Sequence, residues 1–314
     1  MPRIVSLISS ATEIVHALGE FPNLVGRSHE CDFPPEVEAL PACTKPTIDI
    51  HADSREIDRA VKDRLRNALS IYDVFDEELE RLQPTHIITQ TQCEVCAVSL
   101  RDVERSVAAR LNSRPKIVSL NPNSLADIWD DMRRVAASLE IGLRGDQVIA
   151  ALQGRMCAIR GRALSAPERP RVAYIEWIEP LMAGGNWMPE LNEMAGGVNL
   201  LGKAGEHSGY MTWEDLVGSD PDVIVVAPCG FDLTRTEAEM HWLANRPEWP
   251  RLRAVQQNRV YIADGNQYFN RPGPRLVETL EILAAMLHPE LSPPQVGWKR
   301  FGTGRGCFII NSGG

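Results

Sequence analysis

This chain carries one folding plan twice. Pro84-Thr-His-Ile-Ile-Thr-Gln-Thr-Gln-Cys93 and Pro221-Asp-Val-Ile-Val-Val-Ala-Pro-Cys229 each follow a helical segment, turn at Pro, run through an apolar strand and end in a polar loop with a Cys. The halves open alike, on Arg3-Ile-Val-Ser-Leu7 and Arg171-Val-Ala-Tyr-Ile175, each leading through a loop to a helix that closes in Leu18-Gly19 or Ala195-Gly196-Gly197. They also close alike, with Lys116-Ile-Val-Ser-Leu120 before a helix from about Ser124 and Arg259-Val-Tyr-Ile-Ala263 before one from about Gly273. Strand candidates fall at 3–7, 24–27, 86–90 and 116–120, then at 171–175, 198–200, 223–227 and 259–263. Short β-branched runs separated by helical patterns specify parallel sheets in an α/β fold. Two such lobes side by side leave a cleft between them, and a cleft implies a ligand.

Between the lobes, apolar residues at helical spacing run through Leu125, Ile128, Met132, Val135 and Leu139, then Val148, Leu152, Met156 and Ile159. Gly142 and Gly145 divide this stretch into two helices, and Ala166-Pro-Glu-Arg-Pro170 ends the second. The second helix joins the lobes and limits their relative movement. The expected organisation is a lobe at 1–143, a bridging helix at 144–167, a lobe at 168–290 and an irregular Pro/Gly-rich tail at 291–314. Residues 57–82 read as helical, with a break near Ser70-Ile-Tyr-Asp73.

Bulk properties narrow the function. Lys+Arg of 33 against Asp+Glu of 42 gives a net charge of -9, which argues against a nucleic-acid partner. Met1 to Ser10 passes directly into a strand without the charged, apolar and small-residue regions of an export signal. No apolar stretch has the length that crosses a bilayer. The expectation is a cytoplasmic protein without membrane insertion, whose seven cysteines stay reduced.

Ligands of open parallel sheets bind beyond the carboxyl ends of the strands, so the residues there are the candidates. After the first strand, Ser9-Ser-Ala-Thr12 either offers helix N–H groups to an anionic or carbonyl group or simply caps the helix. Arg27-Ser-His-Glu-Cys-Asp-Phe-Pro34 follows the second, and Gln90-Thr-Gln-Cys93-Glu-Val-Cys96 the third. His29 and Cys31, two apart, share a face if the chain is extended there. With Cys93 and Cys96 they make four ligands of the type that holds zinc or iron tetrahedrally. A redox dithiol at Cys93-x-x-Cys96 is an alternative. So is plain packing, or direct contact with an organic ligand.

The second lobe contributes Glu176-Trp-Ile-Glu-Pro-Leu-Met-Ala-Gly-Gly-Asn-Trp187, Pro228-Cys-Gly-Phe231 and Asn266-Gln-Tyr-Phe-Asn-Arg-Pro-Gly-Pro274. Trp177, Trp187, Phe231, Tyr268 and Phe269 suit the walls around a flat apolar ligand, and either Trp equally suits a core. Ser10, Asn186, Asn270 and Arg271 would orient polar edges, Arg271 serving as an anion contact or as a structural salt bridge. His207 lies in a Gly-flanked loop placed to close over the cleft. Nucleophile motifs, Walker loops and dinucleotide fingerprints are missing, so an enzyme finds no positive support.

The pattern resembles the class III substrate-binding proteins of metal-chelate ABC importers, especially the vitamin B12-binding ones. The likeness covers roughly 1–290 and rests on Arg3-Ile-Val-Ser-Leu7 with Ala11-Thr-Glu13 and Ala17-Leu-Gly19, on Val25-Gly-Arg-Ser28 with Cys31-Asp-Phe-Pro34, on Pro221-Asp-Val-Ile-Val-Val226, and on Arg271-Pro-Gly-Pro-Arg275. The chain looks closest to a signal-less branch named for cobalamin binding, in which Gln92 to Ser99 and Ser28 to Asp32 are characteristic. The resemblance implies an α/β fold of two Rossmann-like lobes with parallel sheets bridged by a long helix. It also implies a monomer that holds cobalamin, another corrinoid or a related metal chelate between the lobes. The cysteine elements lie outside the importer pattern. They keep open a zinc or iron carrier or sensor, and a redox or metal-assisted enzyme acting on a cleft-bound substrate.

Overall fold

A computed structural model of the chain describes residues 1–67, 70–91, 103–104, 114–290 and 296–302. Its first lobe is built on a parallel sheet of four strands, β1 (Ile4–Ser6), β2 (Leu24–Gly26), β5 (His86–Gln90) and β6 (Lys116–Leu120), in the order β2-β1-β5-β6. The second lobe centres on three parallel strands, β7 (Arg171–Trp177), β11 (Val223–Val226) and β12 (Val260–Ala263), with β9 (Val198–Asn199) parallel to β7. β11 is buried along its whole length, as expected of a strand covered by helices on both faces.

The sequence reading of the central strands holds, and the edges differ. A pair formed by β3 (Thr44–Pro46) and β4 (Tyr72–Val74) occupies the place of the expected helix break. The stretch 57–82 is therefore a helix α2 (Ser54–Arg66), a strand and a second helix α3 (Asp76–Leu82). Short antiparallel strands β8 (Met182–Ala183) and β10 (Gly209–Tyr210) extend the second sheet on one side. On the other, β13 (Trp298–Arg300) pairs with β12, so the tail is not irregular throughout. Strands of two or three residues are too short for alternation to reveal.

The link between the lobes is a 22-residue helix, Gly142–Ala163, about 33 Å long at 1.5 Å per residue. It begins at Gly142 itself, and the two glycines lie inside its first turn. Gly145 is required by packing, because a Cβ there would sit 2.5 Å from the Cβ of Ala136 in the preceding helix Leu125–Ser138. On the far side Arg155 pairs with Glu278 and Glu281 of the closing helix Leu276–Leu287. One buried apolar cluster runs from Ile4 and Ile14 through Ile149, Met156 and Ile159 of the bridge to Val172, Leu191 and Leu280. The bridge is thus a shared core element and not a solvated spacer. Two further clusters each stay within one lobe.

Candidate functional site

The carboxyl ends of both sheets meet at a seam between the lobes, and buried charge marks it. Helix α1 (Ser9–Ala17) follows β1 directly and buries Glu13, which is 1% exposed. Arg271, 5% exposed, reaches across from the second lobe. Its guanidinium donates to Glu13 Oε1 at 3.1 Å and to both carboxylate oxygens of Asp32, at 2.5 and 2.9 Å. Arg275 approaches the same Glu13 oxygen at 3.4 Å, and Asn266 Nδ2 donates to Asp32 at 2.9 Å. Burial works against the charge of Asp32, but the hydrogen bonds and charge of Arg271 hold its carboxyl below the usual range. Burial pushes Glu13 up to about 7 despite Arg271 and Arg275. Asp32 is therefore the stronger anionic partner of Arg271. Glu13 Oε2 and Ser10 Oγ are buried without a hydrogen-bond partner among the described residues, and Glu13 Oε2 lies 4.0 Å from where a Cβ on Gly273 of the opposite lobe would sit.

From this clamp the seam continues outward. The Asn266 amide donates to the Phe231 carbonyl at 3.1 Å, and the Phe231 ring packs on Trp177 at 5.1 Å between centroids. Trp177 Nε1 in turn donates to the Ser54 carbonyl of the first lobe. Tyr210 of β10, three residues after His207, donates its hydroxyl to Asp58 at 2.9 Å.

The expected site residues divide into two groups. Ser10, Trp177, Phe231 and Arg271 lie on the seam. Arg271 forms a salt bridge to the opposite lobe, the second of its two expected roles. Tyr268 stands behind them, its ring 4.7 Å from the Arg275 guanidinium. Trp187, Phe269 and Asn270 instead build the inside of the second lobe. Trp187 Nε1 donates to the Phe269 carbonyl, Phe269 stacks on Tyr174, and Asn270 Nδ2 donates to the carbonyls of Ala227 and Gly265. Asn186 takes φ +50° and bonds through its backbone to 205–206, and its Oδ1 is buried without a partner among the described residues. Glu13, Asp32, Ser54 and Asn266 complete the seam. Glu13 and Asp32 fall in the Ala11-Thr-Glu13 and Cys31-Asp-Phe-Pro34 segments and Asn266 opens Asn266 to Pro274, but none of these shows cross-lobe pairing, and Ser54 lies in no segment that the sequence singles out.

His29 and Cys31 do not share a face. The chain between them turns, with the Cys31 amide donating to the Ser28 carbonyl, where a shared face requires extended chain. His29 lies against Thr44 and Tyr72, with Nδ1 2.8 Å from Thr44 Oγ1. Cys31 points to α1, where Thr12 Oγ1 contacts its sulfur at 3.0 Å. Burial pushes the Cys31 thiol up, so it keeps its proton. Cys93 and Cys96 lie outside the described residues. Among the described residues, no group of three or more His, Cys, Asp or Glu side chains is placed to hold a metal ion.

Burial, with the charge of Arg27, lowers His29 to about 4. A lowered value means stability that is present above pH 6.5 and lost as pH falls through 4. Relative to His29→Gln, the wild-type chain is expected to lose about 3 kcal/mol over that interval. Denaturant melts of both proteins from pH 7 to 4 measure the difference, and parallel curves would refute it.

This arrangement, two α/β lobes on one helix with a polar seam at their strand ends, has counterparts among known proteins. The profile of the periplasmic binding protein family matches residues 4–266. The chain belongs to the periplasmic binding protein family. An uncharacterised ABC transporter substrate-binding lipoprotein of Bacillus subtilis (strain 168) is 21% identical over 294 residues, 92% of this chain and 80% of the relative. A vitamin B12-binding protein of Vibrio cholerae is 24% identical over 295 residues, 91% and 88% of the two chains. Among solved structures, a periplasmic heme-binding protein of Pseudomonas aeruginosa superposes with TM-score 0.71 at 19% identity, over 98% of this chain and all of the other. The periplasmic vitamin B12-binding protein of Vibrio cholerae superposes with TM-score 0.61 at 21% identity, over 91% and 96%. At these identities the superpositions establish the shared fold of this binding protein.

Proposed function

We propose that this binding protein holds a metal chelate of the corrinoid class between its lobes, along the seam from the Asp32–Arg271 clamp to Trp177. The observation that carries the reading is the pair of unpartnered buried atoms, Ser10 Oγ and Glu13 Oε2, beside two arginines at the strand ends. Leaving buried polar atoms unpaired costs roughly 1–3 kcal/mol each, and the polar rim of a large ring ligand would satisfy them. Trp177, half-buried and backed by the buried ring of Phe231, offers the flat apolar surface that the face of such a ring buries. Relatives of the same architecture named for vitamin B12 and for heme support the class of cargo.

Visible-absorbance and calorimetric titration with aquocobalamin, cobinamide and hemin tests the reading. Corrinoid binding at micromolar concentration or tighter is expected, weakened about tenfold or more in Trp177→Ala. Hemin binding alone would move the cargo to the heme class. Failure of all three sinks the proposal.

A further inference from the structure

The two lobes are held differently on the two sides of the seam. Beside the bridging helix they share an apolar cluster. Away from it, among the described residues, hydrogen bonds, ion pairs and cation–π contacts to the second lobe are made by Ala52 and by α2. The carboxylate of Glu239, 7% exposed, accepts from the Ser54 amide at 3.2 Å and from Ser54 Oγ at 2.7 Å. Ser54 is the first residue of α2, so a carboxylate of the second lobe sits on the positive end of a helix of the first. One turn earlier in the helix Leu233–Glu239, Arg235 donates to the Ala52 carbonyl at 2.6 Å. Arg235 and Glu239, four residues apart, present one face, Glu239 holding the first residue of α2 and Arg235 holding Ala52 just before it. Arg55 adds a pair with Glu179 at 3.2 Å and lies 4.2 Å from the Trp242 ring.

An apolar contact at one side and a polar one at the other make a hinge and a fastening. Water replaces the partners of a polar contact when it parts, which makes that side the cheaper one to open. We propose that the first turn of α2 is a latch, and that releasing Ser54 from Glu239 lets the lobes part at the outer edge of the seam and so controls the rate at which ligand enters. The latch rests on the proposed interlobe cargo site for its purpose, but not for its existence. Trp177 belongs to both, since its indole N–H bonds the Ser54 carbonyl while its ring packs on Phe231. Opening the latch therefore also frees one wall of the site.

Hydrogen exchange read by mass spectrometry on the full chain tests the latch without ligand. Glu239→Gln keeps the shape and removes the charge, and Ser54→Ala removes only the hydroxyl. Exchange at 54–58 is expected to accelerate about tenfold in the first and less in the second, while 142–163 and 223–226 stay unchanged. Unchanged exchange at 54–58, or equal acceleration in the bridge and central strand, overturns the proposal. Stopped-flow mixing with aquocobalamin and hemin then compares entry rates. Faster entry into Glu239→Gln supports gating, and equal rates with a loosened latch reject it. If neither protein takes up any chelate, the cargo reading fails and the exchange result alone decides the latch.

Discussion

Replacing Arg271 with Met is expected to destabilise the protein by about 3–5 kcal/mol, because it takes the counter-charge from half-buried Asp32 and the hydrogen bond from buried Glu13. At about 2 °C per kcal/mol for a chain of this size, the melting temperature should fall by roughly 6–10 °C. Arg271 is the shared partner of two carboxyl groups in different elements of the first lobe, Glu13 on α1 and Asp32 in the loop after β2. Without it Asp32 keeps Asn266 as a donor and Glu13 keeps the longer contact to Arg275. Much of the loss is the cost of stranded charge and not of missing attraction. The triple variant Glu13→Gln, Asp32→Asn, Arg271→Met should therefore recover more than half of the stability. Calorimetric melts of wild type, single and triple variants decide it. If the single variant melts like wild type, the clamp contributes nothing.

That clamp also shows where sequence reasoning stopped. The halves of the fold were legible because each repeats a pattern over many residues: apolar strands of four or five, helices with period 3.6, and a Pro at each entry. The bridging helix was legible for the same reason, through Val148, Leu152, Met156 and Ile159. Arg271 was recognised as either a ligand contact or a salt bridge, and only the partner's position chooses between them. Asp32 and Glu13 are 239 and 258 residues away from it in the chain. The latch was hidden for a similar reason. The helical reading of 57–82 starts three residues past Ser54, whereas α2 begins at Ser54 with Asp53 as its cap, accepting from the Glu56 amide at 2.8 Å. Nothing local says that a second carboxylate, from Glu239, docks on the same turn. The aromatic residues divide for a different reason. Trp187 and Phe269 stand next to strand ends, as wall residues would, yet the bond from Trp187 Nε1 to the Phe269 carbonyl turns both inward. The HxC spacing implied one shared face only for extended chain, and the turn at Ser28 to Cys31 removed that premise.

One glycine gave no sign of its importance and should prove among the least replaceable residues. Gly265 opens the short helical turn Gly265–Phe269, and its backbone dihedral is not of the left-handed kind that calls for glycine. The constraint is contact: a Cβ there would lie 2.0 Å from the Pro228 carbonyl oxygen and 2.8 Å from the carbonyl of Ala227. Those are backbone atoms at the end of the buried strand β11, and they cannot swing aside as a side chain would. Gly265→Ala must drive the turn off the sheet, stretching the bonds from Asn270 Nδ2 to Ala227 and Gly265 and carrying Asn266 and Arg271 away from Asp32. Overpacking of a tight core costs about 1–3 kcal/mol, and loss of the clamp adds to it, so about 4 kcal/mol or more is expected. Gly154, in the bridging helix, makes the control. A Cβ there meets nothing within 4 Å, and Gly154→Ala should stabilise by about 0.5–1 kcal/mol through helix propensity alone. Denaturant unfolding of both variants reads the contrast directly. If Gly265→Ala costs no more than 1 kcal/mol, the turn is not pinned to the strand end, and the clamp does not depend on that approach.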